Sequence, residues 1–244
     1  MSPRLTLATA RRVLAQLRRD HRTLGLVLVV PCVLIGLLAW VYEGTPVFDR
    51  IGAPLLGVFP FVVMFLVTSV ATLRERQSGT LERLMTTPLG RGDLVAGYAL
   101  ATGALAVVQA VVVALFARFV AGLDTAGPLW WLILIAVAVA LLGATLGLGV
   151  SALASTEFQA VQFMPAMVLP QFLLCGLLVP RDELATPLRL LSDVLPLSYA
   201  IDALRGVTVS TDPSAEVLPD LAMVLAFVVG AVLLGAGTLR RRTP

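Results

Sequence analysis

The side chains that could carry acid–base, nucleophilic or metal chemistry are few in this chain of 244 residues. All 18 basic residues are arginine, lysine and asparagine are missing from the sequence, and His21 is the only histidine. A phosphate-binding P-loop, Schiff-base catalysis and a Ser–Lys pair each require a lysine, and a histidine-based zinc site requires more than one imidazole. The residue types alone therefore exclude these chemistries.

A glycine-rich motif and two cysteines suggest a chemical role, but neither has the surroundings that the chemistry needs. The segment 147–152, Gly-Leu-Gly-Val-Ser-Ala, matches the dinucleotide-binding pattern G-x-G-x-x-A, but no predicted strand precedes it. Gly143 and Gly147 instead have the spacing that lets two membrane helices pack closely. Cys32 and Cys175 lie in apolar runs, where a thiol behaves as a small hydrophobic group. We therefore predict no catalytic residue, no metal site and no cofactor bound by this chain.

Hydrophobicity predicts the elements that must position the remaining polar residues. Hydrophobic residues make up 58% of the chain and charged residues 14%, whereas a typical soluble domain is about 25% charged. Six apolar stretches approach or exceed the roughly 20 residues that a transmembrane helix needs, and none contains Asp, Glu, Arg or His. We predict an all-α integral membrane protein, with one transmembrane domain over residues 1–244. Its six predicted spans are about 24–42, 53–73, 94–117, 129–152, 158–179 and 221–239.

Arginine is distributed unevenly around these predicted spans. Six arginines precede the first span, four lie between the second and third, and three follow the last, so 13 of the 18 fall on one side. Segments rich in arginine stay in the cytoplasm when a membrane protein inserts. We predict that both termini and the segment 74–93 are cytoplasmic.

Two segments outside the predicted spans are also expected to be helical. Before the first span, apolar residues recur at steps of three and four among arginines, which predicts an amphipathic helix with Leu7, Ala10, Leu14 and Leu17 on one face. That helix lies in the membrane interface or serves only as a topology signal, and both interpretations stay open. Between spans five and six, the acidic segment 180–220 has leucines at helical spacing. It predicts two short helices that lie on the outer leaflet or dip into it.

Polar residues within the predicted spans are uncharged. Gln109 lies in the middle of the third span, and Gln162 and Gln171 lie in the fifth, together with Pro165 and Pro170. Because an unpaired amide in hydrocarbon is costly, each glutamine needs a partner. The glutamines bond to neighbouring helices or line a translocation path, and both interpretations stay open. Carriers driven by ions usually place Asp, Glu or His within the membrane, so these spans disfavour secondary transport.

The segment between spans two and three carries the most informative pattern of the chain. Residues 74–88 read R-E-R-x-x-G-T-L-E-R-L-x-x-T-P. Leu81, Leu84 and Met85 would share one face of a short helix, and Glu82 and Arg83 would point elsewhere. An apolar face on a cytoplasmic helix needs a covering surface, which is the membrane or a soluble partner.

This pattern resembles the signature of the permease subunits of type-2 ABC exporters, and it looks most like the daunorubicin-resistance type of multidrug permease. Residues 195–205, L-P-L-S-Y-A-I-D-A-L-R, also resemble the outer motif of that family. The resemblance covers essentially the whole chain. It implies six spans, cytoplasmic termini, an N-terminal interfacial helix and a re-entrant helical pair after span five. It also implies that the helix 79–87 and the proline after it couple to the nucleotide-binding subunit, through Gly79, Leu81, Glu82, Arg83, Leu84, Thr87 and Pro88.

The resemblance further implies the permease subunit of an ATP-binding-cassette exporter in the bacterial cytoplasmic membrane. Such a subunit moves a drug-like, lipid or glycoconjugate substrate out of the cell, and Gln109, Gln162 and Gln171 are candidate path residues. ATP and Mg²⁺ would bind a separate ATPase subunit, and a second permease copy or a related chain would complete the pathway within membrane lipid. No enzyme activity and no nucleic-acid partner are expected of this chain. A membrane scaffold without transport activity and an ion-driven secondary carrier remain alternatives.

Overall fold

The computed structural model describes residues 2–77 and 91–238, and those two ranges contain helices and loops without a strand. This arrangement confirms the predicted all-α class. A short 3-10 helix covers Arg181–Glu183. The α-helices are α1 Pro3–Arg19, α2 His21–Val41, α3 Val47–Gln77, α4 Arg91–Phe119, α5 Leu129–Leu153, α6 Glu157–Leu174, α7 Thr186–Val194, α8 Pro196–Val209 and α9 Ser214–Thr238.

Five helices within the described residues are long and apolar enough to cross a membrane. They are His21–Val41, Val47–Glu75, Gly92–Phe119, Leu129–Leu153 and Ser214–Leu234. These helices correspond to the first four predicted spans and to the sixth. The helix in place of the predicted fifth span, α6, has Glu157 in its first turn and two internal prolines, and it is not among the five. The count of six spans therefore stays a prediction.

The helix α6 also ends before its apolar sequence does. It stops at Leu174, whereas hydropathy predicts a span that continues to residue 179. Gly176 has a φ of +90°. This left-handed conformation is one that glycine adopts freely, and it commonly terminates a helix. Because residues 177–179 are apolar, hydropathy gives no sign of the turn.

The helices α3 and α5 approach each other closely through two glycines. A methyl group added to Gly143 would lie 2.3 Å from the carbonyl oxygen of Phe61, and one added to Gly147 would lie 2.4 Å from that of Phe65. No side chain fits at such distances, so the contact requires glycine at both positions. Residues four apart share one face of a helix, so the two contacts lie one above the other. The predicted role of Gly143 and Gly147 in helix packing is confirmed.

The short helix α8 is part of the same core. Leu197, Ile201 and Leu204 are fully buried. Leu204 reaches α3, where a methyl group on Gly57 would lie 2.9 Å from the Leu204 side chain. The loop between α4 and α5 joins α8 through its backbone, because the Gly127 N–H donates to the carbonyl of Val207 at 2.9 Å. Two short helices are therefore present within 180–220, and the second is embedded in the bundle.

The N-terminal helix α1 packs against α4 through small side chains. A methyl group on Gly97 of α4 would lie 2.6 Å from the side chain of Thr9. Thr6, Thr9 and Ala10 are buried, whereas Leu7, which was predicted on the apolar face, is 57% exposed. The buried face is displaced from the predicted one because the closest approach occurs at Gly97, where small β-branched side chains fit.

The contact between α3 and α5 predicts a matched pair of substitutions. Gly143→Ala should lower the free energy of unfolding by about 1–3 kcal/mol, because the new methyl group forces the two backbones apart. Gly149→Ala is the control, since it lies in the same helix and its methyl group would meet nothing within 4 Å. Thermal unfolding of the purified protein in detergent measures both variants. Equal midpoints would contradict the close approach at Gly143.

Candidate functional site

The predicted ATPase-coupling residues lie outside the residues that the structure describes. Gly79, Leu81, Glu82, Arg83, Leu84, Thr87 and Pro88 all fall within 78–90. The two flanks of that segment, which end at Gln77 and begin at Arg91, are described. They lie where α1 meets the end of α3 and the start of α4, and where the end of α3 meets the start of α6; we call this region the arginine-rich end of the bundle.

The first flank, at the end of α3, is bonded to the connection between α5 and α6. Nε and Nη2 of Arg74 donate to the two carboxylate oxygens of Glu157 at 2.8 and 2.9 Å. The side-chain amide of Gln77 donates to the carbonyl of Ser155 at 2.8 Å. The hydrogen bonds from Arg74 hold the pKa of Glu157 below its ordinary value. A planar guanidinium that meets a carboxylate with two parallel bonds fixes the relative orientation of the two helices.

The second flank, at the start of α4, is bonded to the beginning of α1. Asp93 is 4% exposed and lies in the first turn of α4. Its Oδ1 accepts from the backbone N–H of Ser2 at 2.7 Å and from the hydroxyl of Thr6 at 3.1 Å. A carboxylate in the first turn is also favoured by the helix dipole. Asp93 therefore joins α1 to the residues that directly follow the segment 78–90.

Arg12, in the middle of α1, connects both flanks. Its Nη2 donates to the hydroxyl of Tyr98 in α4 at 3.0 Å, and its Nη1 lies 3.5 Å from a carboxylate oxygen of Glu75 in α3. The guanidinium also lies 5.9 Å from the centre of the Tyr98 ring. Together with Asp93, Arg12 makes α1 a brace across the two ends of the segment 78–90.

The three glutamines proposed for a translocation path lie in different surroundings. Gln109 is fully buried, and its side-chain amide donates to the carbonyl of Val27 in α2 at 3.0 Å. Gln171 is 4% exposed and donates to the carbonyl of Met167 in its own helix at 3.1 Å. Gln162 is exposed on α6. The structure therefore does not bring the three side chains to one surface of a single chain, and their role in a path stays a prediction.

The bond made by Gln109 has a specific cause in the sequence of α2. In an α-helix the carbonyl of Val27 accepts from the N–H of residue 31, but residue 31 is proline, which has no N–H. Proline in a membrane helix is tolerated when another group satisfies the freed carbonyl. Gln109 supplies that donor from α4. Of the two interpretations for this glutamine, the structure bears out the interhelical hydrogen bond.

The opposite end of the bundle has a second polar cluster that the sequence does not predict. Arg181 pairs with both Asp193 and Asp202, and its guanidinium lies 5.3 Å from the centre of the Tyr199 ring. The hydroxyl of Tyr199 donates to the carbonyl of Asp193 at 2.6 Å. Burial raises the pKa of Asp202 above its ordinary value, although Arg181 acts in the opposite direction. This cluster fastens α7 and α8 to each other and to the chain that follows α6.

The bond from Gln109 to the carbonyl of Val27, which Pro31 leaves without its helical donor, predicts a result that only a double substitution reveals. Gln109→Leu should lower the free energy of unfolding by about 1 kcal/mol, in the range of interhelical hydrogen bonds in membrane proteins, because it leaves the Val27 carbonyl unpaired. In a Pro31→Ala background the backbone N–H of residue 31 returns, and the same Gln109→Leu substitution should cost much less. Thermal unfolding of the four proteins gives the coupling. Additive effects would show that the N–H missing at Pro31 is not the reason for the bond to Val27.

Comparison with known proteins agrees with the resemblance seen in the sequence. Residues 4–209 match the model of the family described as ABC-2 type transporter. ABC transporter G family member 20 of Dictyostelium discoideum is 26% identical over 65% of this chain and 22% of its own length. The probable multidrug ABC transporter permease YbhR of Escherichia coli is 26% identical over 63% of this chain and 42% of its own length. The linearmycin resistance permease protein LnrN of Bacillus subtilis is 22% identical over 87% of this chain and 55% of its own length.

The chain thus spans only part of the length of these curated relatives, from about a fifth to just over half. The family match, by contrast, covers most of this chain, from α1 to the end of α8. It coincides with a described structure that is helical and has five helices able to cross a membrane. This multi-pass membrane protein therefore belongs to the ABC-2 type transporter family.

Proposed function

We propose that this chain is the membrane-spanning permease subunit of an ABC exporter in the bacterial cytoplasmic membrane. It moves a drug-like, lipid or glycoconjugate substrate out of the cell, and a separate subunit binds and hydrolyses ATP with Mg²⁺. Family membership supports this proposal, as do the names of the relatives YbhR, a probable multidrug permease, and LnrN, a linearmycin resistance permease. The single observation that carries it is the bracing of both flanks of the segment 78–90.

In this proposal the segment 78–90 receives the movement of the ATPase. Leu81 and Leu84 form the apolar face that docks on the partner, and ATP-driven closure displaces that face. On one flank Arg74 is bonded to the start of α6, and on the other Asp93 is bonded to the start of α1. Arg12 then links α1 to both α3 and α4. A displacement of the segment therefore acts on four helices together, as a rigid-body movement requires.

A second permease copy or a related chain completes the pathway in this proposal, with α6 facing it. Phe158 of α6 is 72% exposed and Leu173 is 53% exposed, so this helix is only partly covered within one chain. Gln162 is on the exposed part of α6. An amide that faces hydrocarbon is costly, whereas one that faces a polar path between two chains is hydrated. Of the three glutamines, Gln162 is therefore the best supported path residue.

The proposed topology has six spans and places the arginine-rich end in the cytoplasm. In it α6 and the residues up to 179 form the fifth span, α1 lies in the inner interface, and α7 and α8 form the re-entrant pair. The bonds that join α1, the end of α3 and the starts of α4 and α6 support it, because these parts must share one side of the membrane. The 13-to-5 arginine bias supports the cytoplasm as that side.

Cysteine labelling tests this topology in a Cys32→Ala/Cys175→Ala background. Single cysteines at Ser2, Ser78 and Ser214 should differ, because only residue 214 is expected outside the cell. An impermeant maleimide added to intact cells should label Ser214→Cys alone, and permeabilised cells should show labelling at all three positions. Labelling of Ser78→Cys from outside would overturn the topology.

A charged substitution on the coupling face tests the proposed function. Leu81→Asp combined with Leu84→Asp should abolish export and co-purification with the ATPase, because burying a leucine contributes about 1.5–3 kcal/mol and burying an unpaired carboxylate costs several more. Insertion should survive, since the segment lies outside the predicted spans. The control is Arg83→Ala, which changes the other face of the predicted helix and should have a smaller effect. A double variant that inserts, holds its ATPase and still exports would refute the coupling assignment.

The same preparations separate transport by an ABC exporter from the alternatives. The purified chain alone should not hydrolyse ATP, and export should require the ATPase subunit. Export that collapses with an uncoupler while ATP is intact would indicate an ion-driven carrier. A complex that assembles but moves none of a panel of lipophilic substrates would favour a scaffold.

A further inference from the structure

A groove of about 530 Å³ lies between α5, α6, α8 and α9, and we call it the apolar groove. Its volume is in the range of small-molecule sites, about 300–1,000 Å³. Among the described residues that line it, Thr145 has the one polar side chain, and its hydroxyl already donates to the carbonyl of Leu142 at 3.0 Å. The groove therefore offers a ligand apolar contacts, and it suits a hydrocarbon group.

The apolar groove is as long as one leaflet of the hydrocarbon core. Its wall on α5 extends from Leu142 to Leu153, and its wall on α9 extends from Met223 to Leu234. At the rise of an α-helix each wall is about 16 Å long, and half of a hydrocarbon core is about 15 Å. An acyl chain of a phospholipid has this length, because two chains placed end to end make up the core.

One end of the apolar groove is closed by α8. A methyl group added to Gly57 of α3 would lie 2.9 Å from the side chain of Leu204 and 3.9 Å from that of Val139, so α8 meets α3 and α5 at this level. Val139 precedes Leu142 on α5, which places α8 beyond the Leu142 end of the groove. Its first residue, Pro196, lines the groove and closes that end.

The other end of the apolar groove is open. Leu153 is 64% exposed and Leu234 is 73% exposed. Gln77 donates to the carbonyl of Ser155, which closely follows Leu153, so the open end lies at the arginine-rich end. The groove is also continuous with the exposed side of α9, because Met223 is 41% exposed. Exposed apolar side chains of a transmembrane helix contact lipid, and the groove is thus a recess in the surface that meets the membrane.

Glycine widens the apolar groove on both walls. Gly149 of α5 and Gly230 of α9 line it at matching positions along the two walls. A methyl group added to either glycine would meet nothing within 4 Å. Unlike Gly143 and Gly147, these two glycines are not required by contacts between the described helices. Their missing side chains leave width for a ligand along the groove.

We propose that the apolar groove holds one acyl chain of a phospholipid from the leaflet at the arginine-rich end. The end of the chain lies against Pro196, and the headgroup lies outside the open end, beyond Leu153 and Leu234. A recess that is closed at one end retains a chain and gives it no passage, and the three glutamines considered for a translocation path do not line it. The lipid is therefore a resident component, and its binding depends neither on export nor on the ATPase.

Native mass spectrometry of the purified chain tests this proposal, with dioleoyl phosphatidylcholine and dioleoyl phosphatidylglycerol as probes. The unmodified chain should retain the two lipids equally, because the described residues of the groove carry no charge. Gly230→Leu should lower retention of both by roughly tenfold or more, since the new side chain replaces the acyl chain over the apolar area of a leucine. The control is Gly25→Leu in α2, outside the groove, where an added methyl group also meets nothing within 4 Å.

Two results of this experiment would overturn the proposal. Equal retention by Gly230→Leu and Gly25→Leu would show that the retained lipid lies elsewhere. A strong preference of the unmodified chain for one headgroup would show that the acyl chain is not the group recognised.

Gly149→Leu narrows the apolar groove from the opposite wall and provides an independent variant. It should lower lipid retention as Gly230→Leu does, and both variants should unfold at the temperature of Gly25→Leu, because none of the three side chains starts at a contact. The same spectra report how many copies of the chain are bound together. A loss of a second copy, with lipid retention unchanged, would show that the second copy occupies the groove, and the proposal would be wrong.

Photoactivatable phosphatidylcholine in vesicles locates the acyl chain without any substitution. A diazirine at the end of the acyl chain should label Pro196 and Met223 at the closed end, and a diazirine beside the ester should label Leu153 and Leu234. Val33, in the middle of α2 and 49% exposed, measures labelling by lipid that is not held in a groove. If the terminal diazirine labels the closed end no more strongly than Val33, the groove holds no resident chain.

Discussion

The close approach of α3 and α5 is the constraint on which the rest of the bundle depends. Gly143 and Gly147 allow the backbones of these two helices to touch, and the largest buried side chains of α3, Phe61 and Phe65, belong to the same contact. In a membrane the hydrophobic effect does not drive helices together, so close packing of backbones must supply the attraction. The fully buried Leu204 of α8 then packs against α3 beside this pair.

This central pair also explains why the arginine-rich end can act as a unit. The helix α3 is fixed to α5 along its middle, so its last turn is held in place when it bonds to the start of α6 through Arg74 and Glu157. The helix α4 is joined to α1 at that end by apolar packing between Val13 and Leu94 and by the bonds of Asp93 and Tyr98. Polar and apolar contacts at this end thus connect helices that also pack together further along the bundle.

Much of the helical content could be predicted from the sequence, because lipid imposes a simple rule of length and apolarity. That rule locates all of the first four predicted spans and the sixth. It fails at the end of α6, where Gly176 turns the chain within an apolar run. The side-chain partners that join one helix to another are harder to predict than the spans. For Gln109 the sequence predicts a bond to a neighbouring helix but not that the acceptor is the Val27 carbonyl. The bonds of Arg12 and Asp93 join residues far apart in sequence, which local patterns do not reveal. A membrane helix is apolar on most sides, so the periodicity of its hydrophobic residues does not reveal which face packs against which neighbouring helix.

The short corner between α1 and α2 has a mechanical consequence. Asp20 is the only residue between the two helices, and its carboxylate caps α2 by accepting from Thr23. The bond from Gln109 holds α2 at Val27, seven residues or about 10 Å beyond this corner, and the helix continues for about 21 Å to Val41. The first turns of α2 are therefore fixed at two points, by its cap to the corner and by its bond to α4, so a displacement of α1 is passed directly to α2 and α4.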